Sequence, residues 1–120
     1  MKRMTILAAG AHPDDIEILC ALPDEGVFDD QATRLKIVDA IRTCKPDLII
    51  THHPDDYHGM TSKLVFDASF VCTIPRIETK LSFHERVVPI AYMDTVAGLG
   101  FLQDTYVSIT DIFDKKKEML

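Results

Sequence analysis

Two identical tetrapeptides, His12-Pro13-Asp14-Asp15 and His53-Pro54-Asp55-Asp56, concentrate the residue types of this chain that can do chemistry. Imidazoles and carboxylates are rarely buried without a partner, so placing three of them beside an apolar run calls for an explanation. On a helical turn opening at Pro13, positions i and i+3 project from the same side. His12 and Asp15 can therefore converge on one cation while Asp14 points elsewhere. An imidazole nitrogen and a carboxylate oxygen suit zinc, and a catalytic zinc takes three protein ligands with the fourth position left to water. Asp14 would then stand beside that water, placed to take its proton as it attacks a carbonyl whose oxygen the metal polarises. This is the chemistry of amide or ester hydrolysis. The same four residues also read as plain decoration of a helix N-terminus, where Pro at the first position and negative charge after it are both favourable.

The second copy lies in the stretch THHPDDYH, which places His52, His53 and His58 within seven residues. Turn formers after a strand commonly make a solvated loop. The density of histidine favours a functional reading instead, with His58 as the best partner for the first copy. His84 stands alone in a polar segment and reads as structural.

Each copy needs an element to aim it. Ile6, Leu7, Ala8 and Ala9 precede the first, and Leu48, Ile49 and Ile50 precede the second. Both runs are short, apolar and partly β-branched, as buried parallel strands are. Both copies are thus expected at strand C-termini, where open α/β sheets bind ligands, particularly where strand order reverses. The repeat becomes one site with two walls. Between the strands, a short helix from Pro13 with Ile16, Ile18, Leu19 and Leu22 on one side leads to a turn at Pro23-Asp24-Glu25-Gly26. Asp29 or Asp30 then caps a helix whose stripe is Leu35, Val38 and Ile41, ended by Lys45 and Pro46. After the second strand, a helix from about Ser62 turns Leu64, Val65, Ala68 and Val71 or Cys72 inward. Residues 74–84 read as irregular, 87–93 as a third strand, Gly98 and Gly100 as a flexible connection, and 106–109 as a fourth strand. Asp111 caps a last helix running through Met119. Alternating strands and helices imply a parallel sheet.

A chain of 120 residues has room for one domain spanning 1–120, without linker or low-complexity tract. With 47% hydrophobic and 27% charged residues it has the composition of a globular protein. A net charge of −6, with Lys115, Lys116 and Lys117 as the only basic run, argues against nucleic acid as a partner. The apolar run before His12 is too brief for a signal segment or a membrane span. Cys20, Cys44 and Cys72 are widely spaced and odd in number, which points to reduced thiols and a cytoplasmic protein.

AHPDDIE after a first strand, then PDEG, then CKPDLIITHHPDDYH, in that order, resembles the LmbE-like or PIG-L zinc-dependent N-deacetylases nearly end to end. The resemblance implies a Rossmann-like, doubly wound, mostly parallel sheet and hydrolysis of the N-acetyl group of an N-acetylglucosamine-type conjugate. It further implies His12 and Asp15 as zinc ligands, Asp14 as general base, and His58 as the histidine that stabilises the oxyanion. In the family's second motif, histidine, any residue, aspartate and histidine follow one another, and the last histidine is the third zinc ligand. Here His58, Gly59 and Met60 are followed by Thr61, so that ligand is absent. The resumption of a family-like helix at MTSKLVFDA suggests a few residues lost after Gly59. A second gap, between Cys20 and Ala21, corresponds to roughly two βα units, on the order of sixty residues. The sheet is therefore expected to have lost one wing, leaving its first strand as an open edge that invites self-association. Without the third ligand, an inactive remnant that binds a sugar conjugate or a partner chain is the alternative to a working hydrolase.

Overall fold

The structure is a computed structural model, and it describes residues 3–11, 29–95, 98 and 100–118. Three parallel strands, β1 (Ile6–Ala9), β2 (Leu48–Thr51) and β3 (Ile90–Tyr92), form a sheet in the order β1-β2-β3. Leu7 lies opposite Ile49 and Ala9 opposite Thr51, while Ile49 and Thr51 face Ile90 and Tyr92 on the other side. Side chains alternate across a strand, so these positions share one face.

Two helices cover that face. Helix α1 (Gln31–Cys44) begins at Asp30, whose carboxylate accepts the Thr33 N–H at 2.7 Å. It ends at Lys45, which turns the chain out of the helix in a left-handed conformation with φ 45° and donates its N–H to Ile41 O. Helix α2 (Gly59–Val71) packs against α1. The core between helices and sheet is made of Leu7, Val38, Ile41, Ile49, Val65, Ala68, Cys72 and Val88. Because each strand is the sequential neighbour of the next, right-handed crossovers put both helices on the same side. The opposite face, with Ile6, Ala8, Leu48, Ile50 and Ala91, is left half-buried or exposed. The α/β class, the parallel pairing of the first two strands and the caps of α1 thus agree with the sequence reading.

The N-terminal ends of the strands are tied through Asp47. Its N–H donates to Thr5 O, its carboxylate accepts the Thr5 N–H at 3.0 Å, and it pairs with Arg86 ahead of β3. Arg42, buried on α1, holds the irregular 72–81 segment. Its guanidinium donates to the carbonyls of Cys72, Ile74, Ile77 and Leu81 and to the Thr79 hydroxyl. Buried charge is tolerated when it is hydrogen-bonded, and here five oxygens accept from the three guanidinium nitrogens.

Two expectations are corrected. Residues 106–109 form no strand but run as irregular, mostly exposed chain, since no described strand lies beside them to accept their backbone. Asp111 caps nothing. It sits inside a 3₁₀ turn (Thr110–Ile112) whose first flanking residue is Ile109. The last helix, α3, covers Phe113–Glu118 and buries none of its described side chains, and Met119, its expected end, lies outside the described residues. The expected helix from Pro13, the turn at 23–26, and Cys20 lie outside the described residues.

Candidate functional site

β1 and β2 are adjacent and parallel, so Gly10 and Ala11 after the first strand and the histidine loop after the second leave the sheet at the same edge. After β1 the chain runs through Gly10 to Ala11, the residue before His12. The Ala11 N–H donates to His52 Nε2 at 3.1 Å. Across the imidazole, His52 Nδ1 lies 3.3 Å from Asp56 Oδ2. An Nε2 that accepts from an amide carries no proton, which assigns the neutral ring its proton at Nδ1, directed at Asp56. Both side chains are removed from solvent, His52 at 8% and Asp56 at 4% exposure. Thr51 adds a second tie between the strands, its hydroxyl donating to Ala9 O at 2.9 Å.

The loop after β2 is built on itself. Asp56 Oδ1 accepts the Tyr57 N–H at 2.8 Å, Asp56 N–H donates to His53 O, and Gly59 N–H donates to Asp56 O. His53 Nδ1 accepts the Asp55 N–H, and its ring stands edge-on to Tyr92 and Phe101, at 5.8 and 5.1 Å between centroids. Asp55 itself is exposed. Gly59 opens α2 so close to the loop that a Cβ there would run into the Pro54 carbonyl oxygen. Only glycine lets the helix start at this point, and that start is what sets His58.

His58 precedes the first turn of α2, its carbonyl accepting from Thr61 N–H, and its ring lies 5.0 Å from that of His52. The second tetrapeptide thus acts as a scaffold: Asp56 fixes His52 and the loop, and the loop presents His58. His12, Asp14 and Asp15 lie outside the described residues. The described chain reaches Ala11, the residue before them, whose amide is held by His52, the residue before the second copy. His84 is buried and joins the body through its N–H to Cys72 O, in keeping with a structural role.

The pair His52 and Asp56 escaped the sequence reading as a unit. Its signal was present: a histidine and an aspartate four apart in a turn-rich segment can meet across one turn. Arg42 gave no comparable signal, because its acceptors are backbone carbonyls that no residue type announces.

Among the described residues, no group of three His, Cys, Asp or Glu side chains is placed to hold a metal ion. Thr61, where the resemblance would require a third ligand, is a mostly buried residue of the first turn of α2. Elsewhere, a groove of about 430 Å³ runs along α2, lined by Phe66, Phe70, Val71 and Val87 beside Arg34 and Asp67. No described helix is long and apolar enough to cross a membrane. No model of a known protein family matches the chain, and a search of the curated proteins returns no match.

Proposed function

We propose that this chain carries the site of an LmbE-like, zinc-dependent N-deacetylase that acts in the cytoplasm on an N-acetylglucosamine-type conjugate. The observation that supports the reading is the hydrogen bond from Ala11 N–H to His52 Nε2, which ties the approach to the first HPDD to the loop that bears the second. The observed order β1-β2-β3 also suits half of a doubly wound sheet in the order 3-2-1-4-5, with the wing beyond β1 lost. In that order the winding of the parallel strands reverses between the first and fourth, which correspond here to β1 and β2.

In this reading His12 and Asp15 hold the metal, which would supply a polarising charge for the acetyl carbonyl. Asp14 takes the proton of the attacking water and returns it to the amine that leaves. His58 donates to the oxygen on which negative charge develops. His52 and Asp56 touch no substrate; they position the two segments.

A second reading is an inactive remnant that binds a sugar conjugate without turning it over. It is favoured by Thr61, which offers a hydroxyl inside a packed helix where the resemblance calls for an imidazole. Two experiments decide. Purified chain should hold stoichiometric zinc that His12→Ala loses; zinc-free wild type would remove the metal site altogether. Acetate release from an N-acetylglucosaminyl substrate, abolished by Asp14→Asn, would exclude the remnant, whereas zinc without acetate would leave only binding.

A further inference from the structure

We propose that residues 102–113 are an exchange arm through which two copies of this chain associate, the strand-forming part of each arm adding a strand along the outer edge of β1 in its partner.

The arm leaves the body from a defined root. The Phe101 ring stands against His53, and Gln103 Nε2 donates to Asp94 Oδ2 at 3.2 Å. Beyond that root, Leu102, Tyr106 and Val107 are 94%, 81% and 82% exposed, and Ile112 and Phe113 are more than half exposed. Residues 105–109, TYVSI, are β-branched and aromatic at four of five positions, the composition that favours a strand. Among the described residues, however, no peptide group of 102–108 pairs with another backbone group. A strand-forming, apolar sequence thus lies irregular and mostly exposed, its peptide groups through Ser108 without a described backbone partner.

The complementary surface is on the same chain. β1 pairs with β2 on one side, and no described residue pairs with its other side. Met4 and Ile6, 61% and 49% exposed, lie along it. An open edge is a template for β-addition. Four residues of β1 against three of β3 make it the longer of the two outer strands. Charge agrees as well, since Arg3 precedes β1 whereas Asp104 and Asp111 flank the strand-forming part of the arm.

Five apolar side chains at these exposures represent on the order of 500 Å² per arm. Reciprocal exchange about a two-fold axis doubles this to about 1,000 Å² before the acceptor surfaces are counted, which reaches the range of specific dimers.

The test is sedimentation velocity of the full chain over micromolar concentrations, with circular dichroism to verify folding. Wild type is expected to be a dimer. Val107→Lys, at an exposed position that carries no load in the single copy, should sediment as a monomer with an unchanged spectrum. Ile6→Lys should do the same from the acceptor side, and a synthetic peptide of residues 102–113 in excess should dissociate the wild-type dimer. A monomeric wild type, or a dimer that survives Val107→Lys, overturns the proposal. So does a dimer lost only on Phe66→Lys, which would move the contact to the groove on α2.

Discussion

At the level of single residues, His52 has the most specific job in the described chain. It accepts from the Ala11 amide at one nitrogen and faces Asp56 with the other, so its tautomer and its position are set together. His52→Leu should therefore release the Ala11 amide, seen as faster hydrogen exchange at that one position, with the sheet amides of β2 unchanged. His52→Gln keeps an acceptor at the end of a side chain of similar length and should restore much of the protection. Equal exchange in all three proteins would show that the bond has no energetic weight. Arg42 is the counterpart on the structural side. Truncating it in Arg42→Met leaves the carbonyls of the 72–81 segment without their shared donor, and losing a buried, charge-assisted network of this size costs about 3 kcal/mol. Urea denaturation measures it, and a loss below about 0.5 kcal/mol would mean that water replaces the guanidinium without penalty.

At the level of elements, α1 and α2 are joined by packing and by a charge cluster. Lys63 on α2 pairs with Asp29 and Asp67, and Arg34 on α1 pairs with the same two carboxylates. The hydrogen bond from Lys63 holds Asp29 below its ordinary value of 3.8, and the Thr33 amide does the same for Asp30. Both carboxylates therefore contribute stability that is complete above about pH 4 and is lost as acid protonates them in the folded protein. Lys63 is raised above 10.5, chiefly by Asp29, so its contribution is complete below that value and fades in strong alkali. Thermal melts across pH should fall at both extremes, and Lys63→Met should flatten the alkaline fall along with part of the acid one. Lys45 offers the opposite sign. As a non-glycine at φ 45°, it bears a left-handed penalty of about 1 kcal/mol, so Lys45→Gly should gain about 0.5 kcal/mol after the extra freedom of the unfolded glycine is subtracted.

These elements also mark what could be read beforehand. Asp30, Lys45 and the stripe of Val38 and Ile41 were legible because capping and helical period are local physics. The strands at 6–9 and 48–51 were legible from short apolar runs followed by turn formers. Residues 106–109 were not, because strand propensity records a preference for a partner and says nothing of whether one is there. The histidine loop was half legible. Its residue types announced a site, but the division of labour between His52, Asp56 and His58 depends on which side chain turns inward, and Gly59 matters through a close approach to Pro54 that no local pattern encodes.

At the level of the whole molecule, the described helices cover one face of a three-stranded sheet, so the core among the described residues is a single layer. Ile41 and Ile49 face each other's layer, α1 against the central strand, and both are fully buried. Ile49→Ala should cost about 3 kcal/mol from lost transfer energy and the cavity left behind, against a total of about 5–15 kcal/mol for a domain of this kind. Ile50→Ala removes the same side chain one residue along the same strand, from the face the helices do not cover, where the neighbouring atoms are fewer and the residue is only partly buried. Its cost should be well under half as large. The pair is informative because composition, strand and propensity are held constant while only the face changes. Urea midpoints of the two variants that coincide would mean the second face is as tightly packed as the first, and the one-layered core would have to be abandoned. A wide separation, with equal denaturant slopes, would tie the stability of the chain to the α1, α2 and β2 contact.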